Sequence, residues 1–147
     1  KKVFLLIIGD GEEKIRLSDL ARQKGIDFAI TGFIEEQEEL FKMYNTGDIL
    51  ILPSYDEPWG LVVNEAMASG LPVIVSNECG CSLDLVREGE NGYILTDLEN
   101  PETLRNLIMK ALKNKESFSK KSLEIIENWT FENSRKSFES LLKTISE

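Results

Sequence analysis

Between Asp48 and Val75 the sequence reads DILILPSYDEPWGLVVNEAMASGLPVIV, and few folds can accommodate it. Four apolar residues in a row, Ile49 to Leu52, are closed by Pro53-Ser54, which suits a strand buried on both faces of a parallel sheet. A polar loop from Ser54 to Glu57 ends at Pro58. The residue before a proline is pushed out of helical geometry, while proline itself is welcome in a first helical turn. A helix is therefore predicted to begin between Pro58 and Leu61, with Val62, Val63, Ala66 and Met67 as its apolar stripe. Gly70-Leu71-Pro72 stops it, and Val73-Ile74-Val75 forms the next buried strand. The unit is strand, loop, helix, strand.

Glu57 and Glu65 supply the chemistry of that unit. The spacing puts Glu57 just ahead of the helix and Glu65 about two turns inside it. Between them the helix N-terminus offers the amides of Trp59, Gly60 and Leu61 and a positive dipole end, a site for an anion. Gly60 lacks a side chain, so a bound group can approach the backbone closely. Carboxylates repel phosphate; their partners are hydroxyls, and a sugar and a ribose are natural candidates. Two glutamates alone are more often solvated helix acids. The surrounding string decides otherwise.

That string, PSYDEPWGLVVNEAMASGLPVI, resembles the signature of the retaining glycosyltransferases of the GT-B fold, in the large group 1 family: two glutamates separated by seven residues, then A-M-A-x-G-x-P-V-I. The likeness continues in LLIIGDGE at Leu5–Glu12, TGFI at Thr31–Ile34 and ENGYIL at Glu90–Leu95, and is to the family's C-terminal, donor-binding half. It implies a parallel, Rossmann-like α/β sheet flanked by helices. It also implies that Glu57 is catalytic, bonding donor-sugar hydroxyls near the reacting carbon, and that Glu65 holds the ribose diol. The amides around Gly60, Leu61 and Val62 then stabilise the leaving diphosphate, where negative charge grows as the glycosidic bond breaks. The donor is a nucleotide-diphospho-sugar; no cofactor and no metal are expected.

Composition excludes other classes. With 26 acidic against 17 basic residues, a net charge of −9, neither nucleic acid nor an anionic membrane face is expected as a main partner. No histidine occurs, which removes imidazole bases and histidine metal sites from this chain. Cys79 and Cys81 are too few and too close for a disulfide framework, and read as reduced thiols of a cytoplasmic protein. No signal peptide and no membrane-length apolar run is legible. Residues 1–147 are expected to form one domain, with terminal helices over about 101–147.

Taken in order, Val3 to Ile8 is a predicted strand and Gly9-Asp10-Gly11 a tight turn into a helix over Glu12–Lys24, with Ile15, Leu20 and Ala21 facing the core. The third glycine of a dinucleotide fingerprint is replaced by Lys14, so a nicotinamide site is not expected. In the resembled family this turn, with Gly9 and Gly11, lines the inter-domain cleft. A second strand, Ile26–Thr31, leads into Gly32-Phe33-Ile34, which corresponds to the family segment whose backbone reads the nucleotide base; for Phe33 by itself, a core position is the better reading. Glu35–Tyr44 is a helix with an acidic first turn and a buried face of Leu40, Phe41 and Tyr44. In the loop Ser76–Ser82, the family's Gly-Gly pair and glutamate are replaced by Gly80-Cys81 and Asp84, and no contact is assigned there. A turn at Asn91-Gly92 precedes the strand Tyr93–Leu95, and helices are predicted over Thr103–Lys115, Ser117–Asn128 and Phe131–Ile145.

The family also carries a G-R-x motif and a Lys-Gly whose cations clamp the diphosphate. Neither stands here, nor does the acceptor-binding N-terminal domain. The chain is therefore expected to be a donor-binding half lacking its first strand-helix unit, inactive alone, partnered by that N-terminal domain, and cytoplasmic or at the inner face of a membrane reached through the missing part. The expected function is transfer of a sugar to an acceptor in cell-envelope polysaccharide or glycolipid synthesis. A nucleotide-sugar epimerase half is disfavoured by the A-M-A-x-G-x-P-V-I run; a non-catalytic regulatory domain of the same fold is the other alternative.

Overall fold

A computed structural model describes residues 2–145. The chain divides into two compact units, residues 1–47 and 48–147, and its five strands form two wholly parallel sheets. An α/β fold of parallel strands flanked by helices is thus what the sequence specifies.

In the first unit β1 (Phe4–Ile7) pairs with β2 (Asp27–Ile30), joined by α1 (Lys14–Gln23) and followed by α2 (Gln37–Tyr44). Gly25, at φ +64°, ends α1, and Ile26 N–H bonds the carbonyl of Ala21 at 3.0 Å. A two-stranded sheet covers little of a helix. Ala21 is buried, whereas Ile15 is 76% exposed and Leu20 is exposed too, which corrects the expectation that all three face a core. Of the predicted face of α2, Tyr44 is buried, while Leu40 and Phe41 are half-buried. Phe41 meets Tyr44 edge-on at 6.2 Å.

The second unit holds β3 (Leu50–Leu52), α3 (Leu61–Ala68), β4 (Val73–Ser76), α4 (Ser82–Leu85), β5 (Gly92–Leu95), α5 (Pro101–Lys113), α6 (Lys115–Ile126) and α7 (Phe131–Ile145). The sheet order is β3-β4-β5. Its central strand β4 is buried throughout. β3 is half-buried rather than buried on both faces, because it is an edge strand of this sheet and is covered less. One apolar cluster contains Val63, Met67, Val73, Val75, Cys79, Cys81 and Leu85; a second contains Ile74, Leu95, Ala111 and Phe118. Alternation along β4 splits Val73 and Val75 from Ile74, as the period of a strand requires.

Backbone contacts set the remaining boundaries. A Cβ on Gly92 would lie 1.9 Å from the Val73 carbonyl oxygen, so only glycine lets β5 pair this closely. Asn91 is buried; its Oδ1 accepts from Arg87 N–H at 2.7 Å and its Nδ2 donates to the Leu85 carbonyl at 3.1 Å. Asn100 caps α5, its Oδ1 accepting from Glu102 N–H at 3.0 Å with Pro101 in the first turn. The buried Ser122 hydroxyl donates to the Leu71 carbonyl at 2.8 Å and ties α6 to the turn after α3. No residue of α7 is buried. Among the described residues no helix is long and apolar enough to cross a membrane.

Candidate functional site

The loop from β3 to α3 and the loop from β4 to α4 both leave the C-terminal ends of adjacent parallel strands, the edge where ligands of open α/β sheets sit. They are laced together. Glu57 N–H donates to the Glu78 carbonyl at 3.2 Å, Gly80 N–H to the Glu57 carbonyl at 2.9 Å, and Cys81 N–H to the Trp59 carbonyl at 3.0 Å. A Cβ on Gly80 would lie 2.1 Å from the Pro58 carbonyl oxygen, so this close approach is open only to glycine. Sequence reading assigned nothing to this second loop. Its Gly80, between two buried cysteines, was the visible signal that backbone passes close by.

Glu57 is half-buried, and its Oε1 accepts the amide of Trp59 at 3.4 Å. The Trp59 amide is therefore engaged by the glutamate itself, which corrects the expectation of a free group at that position. Gly60 is buried with φ +95°; a Cβ there would press on Leu52 Cδ2 at 3.0 Å and lie 3.4 Å from Cys81 Sγ. Its lack of a side chain thus serves a left-handed turn packed on the fold's own interior, not the approach of a ligand. Leu61 opens α3, and Val63 N–H closes onto the Gly60 carbonyl at 2.9 Å. Leu61 and Val62 stand in the first turn, where amides lack intrahelical acceptors, and both side chains are exposed, so Val62 is not part of the buried stripe. Glu65 is the fifth residue of α3 and half-buried, about one turn in rather than two.

The two thiols stand in the loop that is bonded to the Glu57 turn. Both are free and buried. Burial pushes Cys79 upward, with the Glu57 carboxylate adding to it. Burial, then the neighbouring Cys79, pushes Cys81 up to about 11. Protonated thiols in this setting pack and do not attack. Trp59 donates its indole N–H to Asn64 Oδ1 at 2.9 Å, and its ring meets that of Trp129 at 5.4 Å with a 43° tilt.

In the first unit the structure brings Gly9 and Gly32 together: Gly9 N–H donates to the Gly32 carbonyl at 3.1 Å, and both have positive φ, +129° and +75°. Gly11 N–H donates to Asp10 Oδ1 at 2.9 Å, and Lys14 Nζ pairs with Asp10 Oδ2 at 3.2 Å. The Gly11 amide, followed by Lys14, holds the Asp10 carboxyl below its ordinary range. Gly9, Gly11 and Lys14 line a shallow hollow with Leu17 and Ile30. Phe33 is 83% exposed and is not a core residue; it lies beyond β2, which ends at Ile30. Ile34 beside it is half-buried. Among the described residues no three Asp, Glu or Cys side chains are grouped to hold a metal ion.

A parallel α/β scaffold with a glutamate locked over a helix N-terminus defines a class, and comparison supplies the family. The profile described as "Glycosyl transferases group 1" matches residues 1–129. Similar chains include sulfoquinovosyl transferase SQD2 of Arabidopsis thaliana, 32% identical over 130 residues, which are 85% of this chain and 25% of that protein. The O-antigen biosynthesis glycosyltransferase WclY of Escherichia coli is 32% identical over 123 residues, 82% of this chain and 33% of that one. Sucrose-phosphate synthase of Thermosynechococcus elongatus superposes with a TM-score of 0.76 at 25% identity, over 98% of this chain and 38% of that chain. The pneumococcal O-GlcNAc transferase GtfA, solved with UDP and GlcNAc, shares the fold with a TM-score of 0.76 at 20% identity, over 97% of this chain and 29% of its own. The chain belongs to the glycosyl transferases group 1 family and matches its C-terminal GT-B domain. It spans a quarter to a third of those two sequence relatives.

Proposed function

We propose that this chain is the nucleotide-sugar-binding domain of a retaining glycosyltransferase that moves a sugar from a nucleotide-diphospho-sugar to an acceptor. The observation that carries the reading is the placement of Glu57, fixed by its own backbone bonds beside the start of α3, with Glu65 one turn along the same helix. In this reading Glu57 bonds the donor sugar's hydroxyls as the reacting carbon develops charge, and Glu65 holds the ribose diol. The amides of Gly60, Leu61 and Val62 receive the leaving diphosphate at the positive end of α3. Trp59 contributes by holding that turn in place. Taken by itself, the first unit offers Gly9, Gly11, Gly32, Phe33 and Ile34 for backbone contacts with a nucleotide.

The cell-envelope names among the relatives, O-antigen biosynthesis and a lipopolysaccharide N-acetylglucosaminetransferase, favour an envelope polysaccharide or glycolipid as the acceptor. We place the reaction in the cytoplasm or at the inner face of the membrane, with no metal or cofactor required, and with acceptor binding supplied by an N-terminal domain. These 147 residues by themselves are expected not to transfer sugar. The deciding experiment is a donor screen with the full-length protein, scoring transfer and donor hydrolysis across uridine, guanosine and adenosine diphospho-sugars. One donor turned over well above the rest supports the reading; none turned over, with the protein folded and acceptor extracts present, sinks it.

A further inference from the structure

The chain has two tryptophans, and they touch each other. We propose that Trp129 is a positioning residue for the Glu57 loop, acting through Trp59; the inference rests on the reading of Glu57 given above.

Trp129 follows the end of α6, where its N–H donates to the Ile126 carbonyl at 2.9 Å, and it remains 44% exposed. Its ring lies against Trp59, 5.4 Å between centroids. The Trp59 indole N–H is also held by Asn64 of α3, the residue immediately before Glu65. Main chain then links Trp59 to the glutamate, because the Trp59 amide is the group that donates to Glu57 Oε1. Ring and amide belong to one residue, so packing that fixes the indole also narrows the positions open to the backbone that carries this donor. Contact therefore runs from Trp129 ring to Trp59 ring, to Trp59 amide, to Glu57 carboxylate.

A second observation marks the same loop as one with a specified turn. Asp56, next to Glu57, has φ +51°, the one non-glycine residue at positive φ among the described residues. Left-handed backbone disfavours most L side chains, and although Asp tolerates it better than others, the conformation is held here by the contacts around the loop. The backbone ladder to Glu78, Gly80 and Cys81 restrains one side of the loop. The indole pair and Asn64 restrain the other.

Hydrogen exchange of the full-length protein tests this, comparing a peptide over residues 54–60 with one over 73–76. An aromatic pair is worth enough to shift a local opening equilibrium roughly two- to twelvefold. Trp129→Ala should speed exchange in 54–60 by about that factor while leaving 73–76 unchanged, and Trp129→Phe should restore most of the protection. With the donor found in the screen, Trp129→Ala should lower kcat several-fold with a smaller change in donor KM. Trp129→Leu keeps apolar bulk without a ring; where Trp129→Ala folds poorly, the leucine variant should show the same acceleration confined to 54–60. Unchanged exchange over 54–60, equal acceleration over 73–76, or no rescue by phenylalanine would each overturn the proposal. Exchange needs no turnover, so a wild-type protein that transfers nothing defeats the functional reading and leaves the brace to be judged by exchange.

Discussion

Gly80→Ala is the perturbation whose cost the structure sets most directly. The new Cβ would sit 2.1 Å from the Pro58 carbonyl oxygen and 3.0 Å from its carbon, atoms of backbone and not of a yielding side chain. Real Cβ contacts essentially never fall below 3.0 Å, so the two loops must part by about 0.9 Å. The bonds from Gly80 N–H to Glu57 and from Cys81 N–H to Trp59 lie at the point of separation. Losing each costs about 0.5–1.5 kcal/mol net. Forcing extra volume into packed structure costs about 1–3 kcal/mol. These are two views of one displacement, so about 1–3 kcal/mol is expected. With m about 2 kcal/mol/M, urea unfolding followed by circular dichroism should show the midpoint lower by about 0.5–1.5 M. Gly11→Ala is the control, since its Cβ meets nothing within 4 Å; it should move the midpoint by less than about 0.3 M. An equally small shift for Gly80→Ala would refute the lacing of the two loops.

Three further outcomes are expected. In the full-length enzyme Glu57→Gln should mainly lower kcat, whereas Glu65→Gln should mainly weaken binding of donor and free nucleotide, read by kinetics and calorimetry; intact nucleotide affinity in Glu65→Gln with affinity abolished in Glu57→Gln reverses the roles. Transfer activity should be indifferent to EDTA, and a large loss restored by manganese or magnesium would count against the metal-free reading. Cys81 should resist thiol reagents near pH 8 until the protein unfolds. Its folded value of about 11 lies above the 9.0 of an ordinary thiol. The unfolded thiol ionises first, so stability that is constant below pH 9 should fall between about pH 9 and 11, and Cys81→Ala should flatten that fall in pH-dependent urea titrations.

Elements governed by local pattern were legible in the sequence. The stop at Gly70-Leu71-Pro72, the buried Val73–Val75, and Val63, Ala66 and Met67 on one face of α3 all follow from spacing and punctuation. What could not be read depends on how much surface each partner covers. Ile15 and Leu20 have helical spacing, yet a two-stranded sheet reaches only as far as Ala21. Ile49–Leu52 looks like a central strand by composition, but β3 lies at a sheet edge. Phe33 is an aromatic after a strand, and nothing local distinguishes a covered ring from an exposed one. In the site, the motif located Glu57 and Glu65 but not the brace around them. Gly80 and Gly60 serve contacts with segments some twenty residues away, and such distances are invisible to periodicity.

The charges around α3 restrict the ligand further. The N-terminus of a helix carries roughly half a positive charge, worth about 0.3–1 kcal/mol to an exposed anion. The loops and helix that frame it carry Asp56, Glu57, Glu65 and Glu78. Carboxylates repel a bare anion, and a helix end by itself attracts one only weakly. Inorganic phosphate or diphosphate alone should therefore bind this region poorly. A ligand that presents hydroxyls to Glu57 and Glu65 while a phosphate meets the Leu61 and Val62 amides turns two of those repulsions into charge-assisted hydrogen bonds. A sugar on one side of a diphosphate and a ribose on the other provide that pattern. The acidity of the chain, which argues against polyanions, is in keeping with the nucleotide-sugar ligand proposed above.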